Sequence, residues 1–490
     1  MRPALATARF WLVAAWLAHP AGASELPTQW QIPPGDPLEH SAAGYAKILC
    51  SALFISGRDL ATAADEDGFF VAPRTERSLL KPTVDAASQA VRVTLPNGIT
   101  RSAKRMGDQG CVTLPRDAEA PFFTPVPITS MLPEASTQLW PMGDRIANDA
   151  ARSQIDQAKL GAAVAAAFDP PDGLTAAFVV AHKGRIIAER YQAGIDHTTP
   201  LPGWSMGKSV TASLLGRLIY DGYDRSLELF SLAPVAEWQQ AEDPRRGIRV
   251  ADLLRMSSGL RFVAPQDPDF NAARGYPDHL YVYTGAIDAQ QWAISRPAQW
   301  LPNTVGRYRN SDPLVLNALI KRAVVARGEE YLSYPQRQLF DKLGIRHFVL
   351  ETDAYGNFLL QGYELGGARD WLRLGLLYLQ DGIWNGQRLL PEGWSDFART
   401  PAPAWSQPIY GGMFWLNRIR QWPLPEDAYY MAGSGGQYTF IVPTHDLVIV
   451  RLGHYKGEAL GTRALTRALQ LLLRLVPQAR EPWQPGAAGR

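Results

Sequence analysis

The sequence predicts an α+β fold in which an antiparallel β-sheet is flanked by helices and joined to a mainly helical lobe. Two hairpins of apolar strands, at 176–191 and 437–452, lie far apart in the chain, and the segment between them is dominated by helix-like patterns and loops. An amphipathic helix is predicted over 459–475. Strands on both sides of a helical insertion indicate one sheet covered by helices, with the insertion forming a second lobe.

A small α+β domain is predicted to precede this one, over residues 24–145. It contains a short helix over 45–54 and a hairpin that begins with the strand 90–95 and turns at Pro96-Asn97-Gly98. Residues 115–141 are rich in proline and lack periodicity, which indicates a linker. The main domain then covers 146–490 and opens with an alanine-rich helix predicted to begin near Asp149.

The two cysteines, Cys50 and Cys111, both lie in the small domain. An even number of cysteines in an exported protein favours a disulfide, so we expect these two to pair, with two buried free thiols as the alternative. A zinc site has no support, because there is no third cysteine and the histidines are scattered. His182, His279, His347, His445 and His454 are predicted to lie on surfaces and turns. No metal and no cofactor is expected.

The first 23 residues have the pattern of a secretory signal peptide. Arg2 and Arg9 supply positive charge, residues 10–18 form an apolar run, and Ala21-Gly22-Ala23 is a cleavage site of small residues. The apolar run is too short to span a bilayer. We therefore expect a periplasmic or secreted bacterial protein that is not stably inserted in a membrane, with an uncleaved anchor as the alternative.

The composition is that of an ordinary globular protein, with 46% hydrophobic and 20% charged residues and a formal net charge of +2. A chain so nearly neutral is not typical of proteins that bind nucleic acid or anionic membrane surfaces. We expect a small-molecule substrate as its partner.

The candidate nucleophile is Ser205, three residues before Lys208. Residues 210–220 continue with helical apolar spacing, so both side chains lie near a helix N-terminus, on the same face. A serine hydroxyl becomes a nucleophile when a neighbouring base takes its proton, and a lysine of lowered pKa can do so. The helix dipole stabilises negative charge on the serine oxygen and disfavours an ammonium at the same place.

Two other sequence patterns must be considered before Ser205 is chosen as the candidate nucleophile. Ser78 and Lys81 have the same spacing, but Pro82 follows at once and excludes a helix, so we attribute that copy to chance. Ser205 is also the centre of a G-x-S-x-G sequence from Gly203 to Gly207, the nucleophile elbow of α/β-hydrolases. That elbow follows a buried strand, whereas two prolines stand in 197–202, so the elbow remains the minor alternative.

Two further segments supply candidate site residues. Tyr308 and Asn310 precede a helix predicted from Ser311-Asp312-Pro313 onward. A tyrosine beside a lysine can carry a proton, because a nearby cation favours its phenolate. The Asn310 amide is suited to position Lys208 or a substrate carbonyl.

Gly433-Ser434-Gly435-Gly436-Gln437 leads into the late hairpin, where glycines let the backbone approach a ligand and a strand N–H can bind an oxyanion. Trp204 either lines the cleft or packs behind the nucleophile.

Together these residues resemble the β-lactamase and penicillin-binding-protein superfamily of serine hydrolases, in particular its class C-like branch with the related family VIII-type esterases and 6-aminohexanoate-dimer hydrolases. The resemblance covers about residues 150–475. Ser205 and Lys208 match the S-x-x-K motif, Tyr308 and Asn310 the Y-x-N motif, and Ser434-Gly435-Gly436 stands where the family has K-T-G or H-x-G. Further similar stretches are 253–260, 367–394 and 410–417.

The resemblance implies a β-lactamase/transpeptidase-like fold and a Ser205 acyl-enzyme, with Lys208 and Tyr308 transferring protons. The N–H groups of Ser205 and Gln437 would hold the oxyanion. Ser434 replaces the cation of the third motif, which in β-lactamases and DD-peptidases helps to hold a substrate carboxylate. This departure favours neutral esters or amides, although Arg307 or Arg309 could supply a charge instead. The alternatives are a β-lactamase or DD-peptidase, and a non-catalytic ligand-binding relative.

Overall fold

The computed structural model describes residues 24–68, 70–147, 155–268, 270–479 and 481. The signal peptide predicted over 1–23 lies outside these residues, as does the segment 149–154 at the start of the predicted alanine-rich helix. Within the described part, that helix spans Gln157–Ala166, and the Asp156 side chain caps it by accepting hydrogen bonds from the N–H groups of Ala158 and Lys159.

Two α-helices and then four strands form the first part of the chain, and groups of helices and strands alternate after them. The α-helices are Pro37–Phe54, Leu60–Glu66, Gln157–Ala166, Gly207–Tyr220, Val250–Leu254, Asp278–Thr284, Ala289–Ile294, Ser311–Ala326, Asp341–Leu343, Ala368–Leu379, Trp394–Arg399 and Glu458–Leu475. The strands are β1 (Lys81–Asp85), β2 (Ala90–Thr94), β3 (Thr100–Arg105), β4 (Cys111–Thr113), β5 (Thr175–His182), β6 (Arg185–Tyr191), β7 (Leu201–Pro202), β8 (Val349–Leu350), β9 (Glu364–Gly366), β10 (Ile383–Trp384), β11 (Gln387–Arg388), β12 (Trp415–Leu416), β13 (Tyr429–Gly433), β14 (Gln437–Val442) and β15 (Leu447–Gly453).

The main sheet has six antiparallel strands in the order β12-β13-β14-β15-β5-β6. The two hairpins predicted from the sequence meet where β15 pairs with β5, with Val450 opposite Val179. Side chains alternate across this sheet: Phe178 packs with the helices Gln157–Ala166 and Glu458–Leu475, and Val179 packs on the opposite face, which the helix Ala368–Leu379 covers. The predicted α+β class, with an antiparallel sheet flanked by helices, is confirmed.

The N-terminal region has a sheet and a hydrophobic core of its own. β1 to β4 form an antiparallel sheet in sequence order, and the helix Pro37–Phe54 packs against it, burying Leu49, Val91 and Val93. The helix begins eight residues before the predicted Tyr45, because Asp36 caps it. β1 was not predicted; it contains Pro82, which the sheet accommodates because β1 is an edge strand.

Cys50 and Cys111 form the predicted disulfide, which joins the helix Pro37–Phe54 to β4 across 61 residues of sequence. A cross-link that closes so long a loop restricts the unfolded chain and contributes about 4 kcal/mol to stability. We expect the Cys50→Ala/Cys111→Ala variant to lose about 3–4 kcal/mol of unfolding free energy in urea, followed by tryptophan fluorescence. An unchanged urea midpoint, with the oxidised wild type as control, would contradict this expectation.

The proline-rich segment 115–141 lies against the main domain. The Phe122 N–H donates to the Ala354 carbonyl at 2.7 Å, and the Arg346 guanidinium donates to the Pro133 carbonyl. Regular structure in this segment is limited to the short 3-10 turn Ala135–Thr137. Hydrogen bonds to the main domain, rather than a sheet or helix, therefore order this linker. Among all the described helices, none is both long and apolar enough to cross a membrane.

Candidate active site

Ser205 lies on a 3-10 turn, Trp204–Met206, that leads directly into the helix Gly207–Tyr220. The two-residue strand β7 precedes the turn and pairs with β9, so the chain enters from a small three-stranded sheet and not from the centre of a parallel sheet. Trp204 has a φ of +51°, a left-handed conformation that turns the chain sharply before the serine. Ser205 is half-buried and stands at the positive end of the helix.

Lys208 lies one turn further along and is fully buried beneath Ser205. Its Nζ is 3.0 Å from Ser205 Oγ and donates to the Gln361 carbonyl at 2.7 Å. Burial lowers the pKa of Lys208 to about 7, against an opposing effect of the Glu364 carboxylate. A substantial fraction of this amine is therefore neutral near pH 7 and able to accept the Ser205 proton.

The Tyr308 ring also lies next to the Lys208 amine. Its ring centroid is 4.8 Å from Lys208 Nζ, and its hydroxyl interacts with the Ser205 side chain. Burial raises the pKa of Tyr308, and the Glu364 carboxylate adds to the increase, while the interaction with Ser205 opposes it. Burial of the ring therefore opposes the phenolate that a nearby cation was expected to favour. Tyr308 stands beside the nucleophile as a neutral hydroxyl that can donate a proton.

Asn310 is fully buried behind the site and does not contact Lys208 directly. Its Nδ2 donates to the His279 carbonyl and to the Tyr283 hydroxyl, both at 2.9 Å. The Tyr283 hydroxyl donates to the Gln361 carbonyl at 3.0 Å, and this is the carbonyl that Lys208 also contacts. Asn310 thus supports the lysine, which is one of its two predicted roles, but it does so through two intermediates.

The segment from Ser434 to Gly436 forms the tight turn between β13 and β14. Gly435 and Gly436 have φ values of +81° and +76°, and both of their carbonyls accept hydrogen bonds from Arg451. Arg451 is fully buried, and burial lowers its pKa to about 10. The sequence analysis missed this arginine. Its hydrogen bonds hold the turn in place, and the two glycines are needed there because the turn requires positive φ values.

Gln437 is also buried, and its side chain is occupied within the sheet. The amide donates to the Gly453 carbonyl at 2.6 Å and accepts from the Gly453 N–H at 2.8 Å. The strand residue packed against the nucleophile is instead Gly433, where an added Cβ would lie 2.0 Å from the Gly203 carbonyl oxygen and 3.1 Å from Ser205 N. The end of β13 therefore packs directly against the turn that holds Ser205.

Trp204 packs behind the nucleophile and does not line an open cleft. It is only 2% exposed, and its ring lies 4.0 Å from that of Phe70 in the N-terminal region and 5.5 Å from that of Tyr363. Of the two places considered for Trp204, the burial matches packing behind the nucleophile and not a substrate contact. Phe70 also approaches Tyr455, at 5.7 Å. The N-terminal region thus contributes an aromatic side chain next to the nucleophile turn.

On the other side of Ser205, Tyr308 belongs to a second aromatic cluster. Its ring lies 5.1 Å from Trp415 and 5.9 Å from Tyr410, and Trp405 stacks on Tyr410 at 4.9 Å. All but Tyr410 of these rings are half-buried. The surroundings of the nucleophile are therefore strongly apolar.

The two arginines considered as substitutes for the missing cation are directed elsewhere. Arg309 is bound by the Leu260 carbonyl, Gln299 and Asp267, and Arg307 is 5% exposed with its guanidinium over the Trp300 ring. Their charges are thus committed to the interior of the helical lobe.

His279 belongs to the site, contrary to its predicted place on a surface or turn. Its ring centroid lies 6.4 Å from that of Tyr308, and burial together with Lys208 and Arg309 holds the pKa of His279 well below its usual value. Its Nδ1 has no hydrogen-bond partner among the residues described. Sequence reasoning could not find it, because a lone histidine on a helix carries no spacing signal.

Glu364 is the second buried group that the sequence analysis missed. It lies on β9, adjacent to the nucleophile turn, and its Oε1 accepts the Gly207 N–H at 3.0 Å. Burial raises the pKa of Glu364 well above its usual value, and Lys208 opposes that increase. The described residues contain no cluster of three or more His, Cys, Asp or Glu that could bind a metal ion.

The chain matches a protein-family model and resembles solved structures. The Beta-lactamase family model matches residues 164–473. A putative 6-aminohexanoate-dimer hydrolase from Bacillus anthracis aligns with a TM-score of 0.50 and 20% identity over 63% of this chain and 82% of the other. The structure of SurE aligns with a TM-score of 0.50 and 19% identity over 68% of this chain and 81% of the other. These two similarities concern the fold. No curated protein matches the chain in sequence.

Proposed function

The chain belongs to the Beta-lactamase family, within the serine β-lactamase and penicillin-binding-protein superfamily, and from this premise we propose that it hydrolyses an ester or amide bond through an acyl-enzyme on Ser205. The observation that carries the proposal is the Lys208 amine, 3.0 Å from Ser205 Oγ with a pKa lowered to about 7. A neutral amine at hydrogen-bond distance from a serine hydroxyl is the arrangement that nucleophilic catalysis requires.

In the proposed reaction Ser205 Oγ attacks the substrate carbonyl while its proton passes to Lys208. The oxyanion is held by the N–H of Ser205 and by that of Gly433 or Ser434, at the end of β13. Tyr308, a neutral hydroxyl next to Ser205, delivers a proton to the leaving group and is reprotonated from Lys208. Water then attacks the acyl-enzyme by the same route in reverse, which releases the acid and restores Ser205.

We propose that the substrate is neutral and largely apolar. Ser434 supplies no charge, and Arg307 and Arg309 are committed to other partners. Phe70 packs on Trp204, the residue before Ser205, and Trp415 packs on Tyr308, so aromatic rings surround the residues next to the proposed nucleophile. An apolar acyl or leaving group gains affinity from such surroundings, whereas a substrate carboxylate would lose its hydration without a compensating cation.

We also propose that the protein acts outside the cytoplasm, in the periplasm or after secretion, as a signal peptide over 1–23, a small domain over 24–145 and the hydrolase domain over 146–490. The signal-like pattern of the first residues supports this, and so does the Cys50–Cys111 disulfide.

The proposal is tested by labelling with a fluorophosphonate and by a substrate panel. We expect the wild type to be labelled on a single peptide containing Ser205, and Ser205→Ala to lose both labelling and hydrolysis. Ser78→Ala is the matched control, since Ser78 has the same S-x-x-K spacing but is exposed, and it should keep full labelling. Short-chain nitrophenyl esters should be turned over faster than 6-aminohexanoate dimer, a chromogenic cephalosporin or D-Ala-D-Ala peptides, since the last three all carry a carboxylate. Persistent labelling of Ser205→Ala would overturn the proposal.

A further inference from the structure

A cavity of about 270 Å³ lies where the N-terminal region, the proline-rich linker and the main domain meet. Phe54 and Arg105 line it from the N-terminal region, Ile128 from the linker, and Phe340 and Phe348 from the main domain. Its volume is close to the lower limit of about 300 Å³ for pockets that bind small molecules. Among the described residues that line it, none belongs to the candidate active site, so the proposed reaction leaves this cavity without a role.

The cavity has an apolar floor and a polar rim. The floor is formed by Phe340, Phe348 and Phe358, whose side chains are between 1% and 8% exposed. Asp108 and His347 also line the cavity, and they are exposed, so they mark its opening to solvent. A bound molecule can therefore bury an apolar group against the phenyl rings while a polar group stays near the rim.

Arg105, the last residue of β3, lines the cavity with a guanidinium that lacks a partner. Among the described residues it forms no ion pair and no side-chain hydrogen bond, and its Nε is buried without an acceptor. A guanidinium remains charged and offers five N–H donors in a planar fork that matches a carboxylate. A half-buried cation with unused donors is costly, and an anion that binds to it offsets that cost.

The other charged groups around the cavity leave it positive. Arg346 adds a second positive charge but no free donor, because its N–H groups already donate to three backbone carbonyls and to Gln138 Oε1. The carboxylate on the lining is Asp108, whose Oδ2 accepts the Ile128 N–H at 2.7 Å. The Asp341 carboxylate, behind the lining, is bound by a hydroxyl and an amide of the lining itself. Arg105 is thus the cation that a ligand can reach.

We propose that this cavity binds a small organic anion, a monocarboxylate with an apolar chain or ring of the size of hexanoate or benzoate. Its carboxylate pairs with the Arg105 guanidinium, and its apolar group lies on the rings of Phe340 and Phe348. Because Arg105 and these rings belong to different parts of the chain, the bound anion joins the N-terminal region to the main domain. A ligand that binds only the folded chain also raises its melting temperature. The inference does not depend on Ser205 being a nucleophile.

The test is calorimetric titration of the full-length mature protein with three probes, accompanied by melting curves. Hexanoate carries both the charge and the apolar chain, hexanol carries the chain alone, and inorganic phosphate carries charge alone. We expect hexanoate to bind most tightly and to raise the melting temperature. Arg105→Met should weaken hexanoate binding at least about tenfold, because charge-assisted hydrogen bonds are lost. Lys104→Met is the matched control, since Lys104 is the preceding residue of β3 and its side chain points to the other face of the sheet.

The other results of the titration would overturn the proposal. Hexanoate that fails to bind, or that binds Arg105→Met as tightly as the wild type, excludes a carboxylate site at Arg105. Hexanol that binds as tightly as hexanoate shows an apolar cavity alone, and phosphate that binds as tightly shows that the phenyl rings take no part. If Arg105→Met does not fold, crystals of the wild type are soaked in para-bromobenzoate. Anomalous bromine density beside Phe348 supports the site, and its absence there contradicts it.

Discussion

Replacing Lys208 with methionine is expected to reduce kcat/KM for nitrophenyl esters by about 10³–10⁴-fold while leaving the protein folded. Methionine fills nearly the same volume in the buried position but cannot take the Ser205 proton across the 3.0 Å that separates the lysine from the hydroxyl. Because the lysine carries a desolvation cost that methionine does not, thermal unfolding should occur at the same or a higher temperature. The measurement is steady-state hydrolysis together with a melting curve.

The pH profile tests the same assignment independently. Only the neutral amine accepts a proton, and the pKa of Lys208 is lowered to about 7, so the wild-type rate should fall about tenfold for each pH unit below 7. This limb should be absent from the residual activity of Lys208→Met. Lys81→Met is the control, because Lys81 shares the S-x-x-K spacing with Ser78 but is exposed at the start of β1. Residual activity above a tenth of wild type, or a retained limb at pH 7, would refute the role of Lys208.

The second large effect is expected from Lys47→Met, which should lower the free energy of unfolding by about 3–5 kcal/mol. Lys47 and Glu351 form an ion pair in which both side chains are fully buried, and the ammonium also lies over the Tyr363 ring at 4.3 Å. Removing the lysine leaves the Glu351 carboxylate buried without a cation. Glu351 then keeps only the Ser51 hydroxyl and the Cys111 N–H as hydrogen-bond donors.

A double variant shows whether the unpaired charge causes the loss. Lys47→Met/Glu351→Gln removes both charges and should regain most of the lost stability, measured by urea unfolding. Arg322→Met breaks an ion pair with Glu237 whose side chains are 41% and 36% exposed, and it should cost less than about 1 kcal/mol. If Lys47→Met costs no more than Arg322→Met, the pair does not couple the N-terminal region to the main domain in the way the contacts imply.

The Lys47–Glu351 ion pair joins the N-terminal region to the main domain. Lys47 lies on the same helix as Cys50, and the Cys111 N–H donates to Glu351 on the main domain. The disulfide and the ion pair are therefore neighbours, and a cavity of about 20 Å³ beside them is lined by Ser51 and Asp67 of the N-terminal region and by Glu364. We expect the N-terminal region to be needed for a stable hydrolase domain, because it buries the Lys47–Glu351 charges and closes this cavity.

Much of the fold was predictable because it depends on local pattern. The hairpins at 176–191 and 437–452 and the helix Glu458–Leu475 have a clear periodicity, and the observed bounds differ by one or two residues. The elements that were missed have little local signal. β13 begins within an aromatic run, Tyr429-Tyr430-Met431, and β9 has three residues, so partners from distant segments define both.

The residues of the candidate site also differ in whether the sequence could predict them. Ser205, Lys208 and Tyr308 carry fixed motif spacing, which brought them to notice without any structure. Glu364 and His279 carry no such spacing, since they act through burial and through neighbours that the chain brings from elsewhere. Gln437 was predicted to offer its backbone N–H to an oxyanion, and this stays a prediction, since only its side chain is bound, by Gly453.

Local order along the chain was thus enough to predict the fold class and the proposed nucleophile and base. The tertiary structure decided the rest: it packs Gly433 against the turn that holds Ser205, it buries Tyr308 so that its pKa rises, and it buries Glu364 beside the same turn. The physical reason is that a motif records which residues are close in sequence. Desolvation and charge coupling, which set the pKa values, depend on which residues are close in space.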